Sequence, residues 1–275
     1  MTSDTSALPP VNVEAARRAF SAQAPFFDSY EKTNVILRWM RNQVYRHVEE
    51  FLLPGESIFE LNAGTGIDAV HFAEKGHPVF AIDNADGMLV ELGKKVRMRD
   101  LAERIRFENR SFTDLSKLPA RQFNHVFSNF GGLNCVKDLR VITTQLPRFL
   151  TPGGMVTFVI MPRICPWELL HFFTGNAKLA FRRLSKNGTL ASVEGHKFLT
   201  YYFSPRDAVQ SFDDRFTLVK LRGLAAFSPP PYMSDFAGRH PKLYRSLTRL
   251  DERCSSIPPL NRWADHFIIT MRYAA

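Results

Sequence analysis

The sequence predicts an α/β fold, a mostly parallel sheet with helices on both faces. Three observations lead there. Between residues 57 and 161, short apolar runs alternate with segments of helical period. The first run, SIFEL (57–61), enters a turn of small residues, NAGTG (62–66), and leaves it as a helix. The second, PVFAID (78–83), ends on an acid. Strands joined through helices pair in parallel by right-handed crossovers, and such sheets hold ligands beyond the C-terminal strand ends.

The elements follow in order. Residues 1–12 read as a loose tail, with helical spacing from about Val13. TNVILRWMRNQVYRHVEEFL (33–52) carries apolar residues at intervals of three and four, an amphipathic helix that Pro54 and Gly55 stop. A helix from about Ile67 to Lys75 follows the first strand, and GMLVELGKKVRMRDL (87–101) follows the second. IRFEN (105–109) and NHVFSN (124–129) are the third and fourth strands. VKDLRVITTQLPRFL (136–150) reads as a helix, TPGG (151–154) as a turn and MVTFVIM (155–161) as the fifth strand. SPRDAVQSF (204–212) is helical, while FTLVKLRGL (216–224) and ADHFIITMRY (264–273) are strand-like.

This divides the chain into an N-terminal helical segment (1–55), a ligand-binding core (56–161), an insertion (162–204) and a remainder (205–275) with a second insertion (225–262). Both insertions leave C-terminal strand ends, so both should cap the ligand edge.

Composition narrows the class. With 275 residues, 45% hydrophobic and 23% charged, the chain suits one large globular domain with insertions. Cys135, Cys165 and Cys254 lie far apart, with neither zinc nor disulfide spacing, which fits a reducing cytoplasm. No metal-ligand cluster is visible. The N-terminus lacks the order of a signal peptide, and no apolar run is long enough to span a bilayer. The net charge of +9 admits nucleic acid, anionic lipid or acidic substrates without choosing among them.

The turn after the first strand allows three readings: no ligand, a dinucleotide, or a nucleoside without phosphate. GTGIDA (64–69) fits G-x-G-x-x-A, with Asp83 about twenty residues on. Glu60, just before the turn, opposes a pyrophosphate and suits an ammonium group. Asp83 can accept both ribose hydroxyls, and no basic residue in the turn makes a P-loop. These features favour S-adenosylmethionine.

ELNAGTG (60–66) resembles the E/D-x-G-x-G-x-G loop of class I S-adenosylmethionine-dependent methyltransferases, with Asn62 for the first glycine. Asn tolerates the left-handed backbone better than most residues. IDNADGML (82–89) resembles their second motif, NRSFTDL (109–115) their third, with Ser111 where an acid is common, and FSNFGGLN (127–134) their fourth-strand segment. The likeness covers roughly residues 25–161 and the last strands. It looks closest to small-molecule methyltransferases of the broad bacterial type.

The resemblance implies a Rossmann-like, seven-stranded sheet whose last strand is antiparallel. It implies S-adenosyl-L-methionine as cofactor and S-adenosyl-L-homocysteine as product. The cofactor residues it points to are Glu60, Asn62, Ala63, Gly64, Gly66, Asp83, Asn84, Met88, Ser111, Phe112, Asn129 and Phe130. The N-terminal segment would fold over the donor, with Tyr30 and Arg38 reaching its carboxylate. The apolar insertions suggest an apolar or aromatic small-molecule substrate, met by Asn134, Arg163, Trp167, His171, Tyr201, Tyr202 and Tyr232. If the acceptor needs a base, His171 and then Tyr202 are the candidates. SPPPY (228–232) resembles the strand-4 motif of amino-methylating nucleic-acid enzymes but follows the sixth strand, so it reads as a rigid loop. The expected function is a cytoplasmic small-molecule methyltransferase of unspecified oligomeric state. The alternatives are an RNA or protein methyltransferase, supported only by charge, and a nicotinamide-dependent reductase, opposed by Glu60 and the strand-4 segment; nucleic acid is not a favoured partner.

Overall fold

The computed structural model describes residues 10–275. Helix α1 (Pro10–Thr33) and α2 (Val35–Glu49) precede the sheet. They break at Asn34, whose side chain accepts from the Ile36 and Leu37 amides and so caps α2. The helix expected over 33–52 is therefore α2, with Thr33 closing α1. Residues 10–12, expected in the loose tail over 1–12, open α1; residues 1–9 lie outside the described residues.

The core then runs β1 (Ile58–Leu61), α3 (Ile67–Glu74), β2 (Val79–Asp83), α4 (Asp86–Met98), β3 (Ile105–Asn109), β4 (Phe123–Ser128), α5 (Arg140–Thr143) and β5 (Leu150–Ile160). After it come α6 (Pro166–Leu169), α7 (Ala177–Ala180), β6 (Thr189–Val193), β7 (His196–Thr200), α8 (Pro205–Gln210), β8 (Phe216–Leu224), α9 (Asp235–Arg239), α10 (Pro241–Cys254) and β9 (His266–Tyr273).

Seven strands form one sheet in the order β3-β2-β1-β4-β5-β9-β8. The first five are parallel, and β9 runs antiparallel to both β5 and β8. Strand order reverses between β1 and β4, so the turn after β1 and the segment after β4 meet where such sheets take ligands. Because β5 and β8 are parallel to each other through β9, both insertions leave from that same edge.

Two expectations are corrected. Residues 136–150 do not form one helix. Pro147 removes a backbone donor, and the segment instead makes α5 and the short turn Leu146–Arg148, burying Val136, Leu139, Ile142, Leu146 and Phe149. The TPGG segment lies inside β5, where pairing with β4 shifts register between Phe123 and His125. The β6–β7 hairpin has no counterpart in the sequence reading. Its turn residues Glu194 (φ 47°) and Gly195 (φ 77°) are both left-handed, as a two-residue hairpin loop requires.

One sheet face packs Phe59 against Phe80, Phe123 and Phe149, with ring centroids 5.2–5.4 Å apart. On the other, the α2 stripe Ile36, Met40, Val44 and Val48 covers Ile58, Phe127, Val159 and Ile268. Each such side chain contributes about 1.5–3 kcal/mol by leaving water. A buried polar chain crosses this layer from His47 to Thr270 (2.7 Å), Thr157 (2.8 Å) and His125 (2.9 Å). Burial pushes both histidines down to about 3, so they are neutral at physiological pH. Among the described residues no helix is long and apolar enough to cross a membrane.

Candidate functional site

The turn after β1 is left-handed at Asn62 (φ 49°), Gly64 (φ 57°) and Gly66 (φ 77°). The Asn62 amide accepts from the Ser128 hydroxyl and donates to the Asn129 carbonyl (2.9 Å). It thus ties the turn to the end of β4, which glycine there would not do. A Cβ on Gly132 would lie 2.4 Å from the Asn62 side chain, so the glycine at 132 accommodates the asparagine at 62. Gly66 serves packing: a Cβ there would lie 2.2 Å from Leu92 of α4. At the end of β2, Asp83 accepts from the Gly64 and Ala85 amides, both at 2.8 Å. Burial pushes its carboxyl up, and these amides oppose that rise.

These elements line an open cleft of about 860 Å³, counting the solvent space at its mouth. Asn62, Ala63, Gly64, Asp83, Asn84, Met88, Ser111, Phe112, Asn129 and Phe130 line it, all expected from sequence. Sequence reasoning missed Arg41, Asp68 and the α1 residues Val13, Ala16, Phe20 and Phe27, which line it too.

Helix α1 lies across the cleft. Ala24, Phe20 and Phe27 pack with Met88 and Ala85. A Cβ on Gly87 would sit 2.5 Å from the Ser21 carbonyl, so α1 and α4 meet at backbone distance. Asp28 clasps the turn: it accepts from the Thr65 hydroxyl (2.7 Å) and pairs with Lys95 (2.6 Å). On the other side Phe198 of β7 packs on Ala16 and Ala19, and the Leu199 amide donates to Asn12 (2.6 Å).

Below α1 lies a buried charged group. Arg41 donates to Glu31 (2.7 and 3.2 Å) and to Asp68, with its guanidinium 4.8 Å from the Phe130 ring centroid. Asp68 also accepts from Tyr45 (2.7 Å) and Asn129 (3.0 Å). Burial works against the Arg41 charge, but Asp68 and Glu31 outweigh it and raise its pKa. Glu60 stands behind the turn, 1% exposed, with Oε2 unpartnered among the described residues. Burial, then the Asp68 charge, push its carboxyl well above the usual range.

Several expected residues are elsewhere. Glu60 and Gly66 support the cleft without lining it. Arg38 is on the exposed face of α2, and Tyr30 is 46% exposed with its hydroxyl 3.4 Å from the Pro231 carbonyl. The arginine on the cleft is Arg41. The signal was the stripe Ile36, Met40, Val44, which marks the buried face that Arg41 flanks.

None of the expected substrate residues lines the cleft. Asn134 is a staple, bonded through its side chain to the Met161 backbone (3.0 and 3.2 Å) and the Tyr201 carbonyl (2.6 Å). Arg163 donates to the Tyr202 carbonyl (3.2 Å) and pairs with Asp207 (3.1 Å), while Trp167 donates to the Phe227 carbonyl (3.0 Å). His171 sits in the turn Leu170–Phe172. Tyr201 and Tyr202 are buried, and burial raises both hydroxyl pKa values, which makes Tyr202 a poor source of phenolate. Tyr232 is 51% exposed, its hydroxyl pushed up to about 12 by burial. Cys165, Glu168 and Asp265 cluster, but both carboxylates are bonded to Arg183.

Residues 58–154 match the family described as methyltransferase domain. Over that stretch the chain is similar to methyltransferase domains. The seven-stranded sheet with its antiparallel last strand agrees, as does the resemblance drawn from ELNAGTG onward. Demethylmenaquinone methyltransferase of Clavibacter sepedonicus is 33% identical over 131 residues, 46% of this chain and 51% of that protein. Its namesake in Corynebacterium glutamicum strain R is 30% identical over 134 residues, 47% and 53% of the two chains. The chain thus spans about half the length of the curated relatives it matches. Among solved structures, the 1,6-didemethyltoxoflavin-N1-methyltransferase of Burkholderia thailandensis, with S-adenosylhomocysteine bound, superposes with TM-score 0.59 at 15% identity, covering 100% of this chain and 94% of that one. The cyclase SpnF does so with TM-score 0.65 at 13% identity, covering 98% and 100%. At such identities the structures share the methyltransferase fold, and SpnF carries another activity on it.

Proposed function

We propose that this protein transfers a methyl group from S-adenosylmethionine to a small, largely apolar or aromatic metabolite. The observation that carries this is the charge of the cleft. One buried arginine, Arg41, serves two carboxylates, and a third acid, Glu60, stands behind them with an orphaned oxygen. A site short of positive charge suits a ligand that brings an ammonium and a sulfonium. It opposes the pyrophosphate of a nicotinamide dinucleotide, which would face Asp68 and Asp83 with Glu60 behind them.

In this reading Asp83 accepts the ribose hydroxyls, Met88 and Phe112 flank the adenine, and Ser111 meets its edge. The Asp68 and Asn129 side faces the ammonium, with Glu60 behind the turn. Arg41 acts by holding Asp68 and Phe130 in place. The bound donor supplies a methyl group already activated as a sulfonium, so the chain supplies position and dryness. Phe20, Phe27 and Val13 of α1 exclude water above the donor. The proposed division is a lid (1–55), a donor core (56–161), a cap (162–204) and a second cap (225–262) within 205–275. The names of the relatives support an apolar or aromatic acceptor, and the three free cysteines support a reducing, cytoplasmic setting.

Incubation with methyl-labelled S-adenosylmethionine and a panel of phenols, quinols and isoprenoids tests this. Label should pass into an organic extract with at least one acceptor. Donor binding without transfer to any such acceptor, but with transfer to RNA or protein, would contradict the substrate class.

A further inference from the structure

The insertion after β5 exposes large apolar side chains that no element of the described chain covers. Leu170, Phe172, Phe173, Phe181, Leu184 and Leu190 are 45–83% exposed, Phe173 the most. Phe172 is at the centre, 5.8 Å from the Phe173 ring and 5.7 Å from that of Phe181. Single exposed hydrophobics are ordinary, but a contiguous group marks an interaction surface. Leu184 carries the patch into a mainly apolar groove of about 1210 Å³, where Ile164, Leu221 and Trp263 join it. The charge on this face is mainly positive, with Asp207, paired to Arg163, at the groove's margin. No Asp or Glu occurs between Glu168 and Glu194, while Lys178 and Lys186 are exposed. Arg163, Arg206 and Arg262 line the groove, and among the described residues lining it there is no acid.

We propose that this face docks the protein on an anionic lipid bilayer. Phenylalanines flanked by lysines and arginines suit the boundary between acyl chains and headgroups, the rings entering the apolar layer and the cations meeting phosphates. A protein partner would have to match a surface that is mainly apolar and basic, whereas a bilayer supplies that complement uniformly. No described helix spans a membrane, so the contact is peripheral. The face lies on the edge of the sheet that carries the cleft, since the insertion leaves the C-terminal end of β5. The inference does not depend on methyl transfer.

Co-sedimentation of the full chain with phosphatidylcholine vesicles, with and without phosphatidylglycerol, tests it. The protein should pellet with the anionic vesicles and be released by salt. The Lys178→Ala/Lys186→Ala pair should weaken partitioning about thirty-fold, at ~1 kcal/mol per surface cation. The Phe172→Ser/Phe173→Ser pair should weaken it further, with circular dichroism and melting temperature unchanged because both sites are exposed. Failure to pellet with anionic vesicles, or pelleting that both pairs leave intact, would overturn the proposal. So would a dimer that the phenylalanine pair abolishes while vesicles are ignored, which would assign the face to a second copy of the chain.

Discussion

Two buried arginines, Arg41 and Arg183, have nearly the same surroundings and different consequences. Arg41 bonds Glu31 and Asp68 beside the Phe130 ring; Arg183 bonds Glu168 and Asp265, 5.3 Å from the Tyr202 ring centroid. The difference is in the balance of charge. Around Arg183, Arg182 adds a second cation on Glu168 (2.7 Å), and His266 bonds Asp265 (2.9 Å). Burial works to raise both carboxyls there, but these partners outweigh it and hold them below the ordinary range. Around Arg41 a third acid, Glu60, is pushed the other way and keeps an orphaned oxygen. The Arg183 group is complete and sealed, so it staples the insertion to the start of β9. The Arg41 group opens on the cleft beside an acid with an unpartnered oxygen, and on the proposed function that imbalance receives a cation.

The largest effects test that contrast. Arg183→Met removes the buried cation shared by two carboxylates, leaving Glu168 to Arg182 and Asp265 to His266, and should cost about 3 kcal/mol in denaturant unfolding, with donor affinity in the surviving folded protein within about twofold. Arg41→Met should cost a similar amount of stability and also weaken donor binding, because Asp68 and Phe130 lose their support. Equal effects on donor affinity would erase the distinction between the two groups.

Asp83→Ala leaves the Gly64 and Ala85 amides unpartnered, so it should cost about 1–3 kcal/mol of stability, and it should weaken S-adenosylhomocysteine binding by about 1.5–3 kcal/mol, read by calorimetry. Unchanged affinity would mean that the ribose lies elsewhere.

Glu60 gives a pH test. Its folded pKa is raised, so the stability it contributes is present below pH 4.5 and is lost as pH rises toward the folded value. A bound cation lowers that value. Binding should therefore release up to about one proton in that window and strengthen as pH rises. Titrations in two buffers of unlike ionisation heat measure the release, and Glu60→Gln should remove it. The smallest effect is that of Asn62→Gly, which restores the family's usual glycine but loses the bridge to β4; it should cost about 0.5–1.5 kcal/mol of stability.

The cleft lining around the β1 turn was legible because its signals are local. Turn, glycines and closing acid fall within a few residues of their strands, and Asn62 takes the left-handed backbone that its residue type allows. What was missed depends on long-range pairing. Arg41 is chosen over Arg38 by Asp68, 27 residues away, and Asn12 holds Leu199 across 187 residues. The substrate candidates failed to converge for a similar reason. Aromatic and charged residues in the insertion read equally as ligands or staples, and Asn134, Arg163 and Trp167 satisfy backbone carbonyls within the chain. The β6–β7 hairpin had one usable signal, Glu194-Gly195 between two polar-apolar runs.

The central claim is that the cleft is built for a cationic nucleoside. Calorimetric titration with S-adenosylhomocysteine, with NADH and NADPH as controls, tests it most directly. The account predicts micromolar binding of the homocysteine, weakened at least about tenfold by Asp83→Ala, and no nicotinamide binding. Binding of NADH or NADPH without S-adenosylhomocysteine would contradict it.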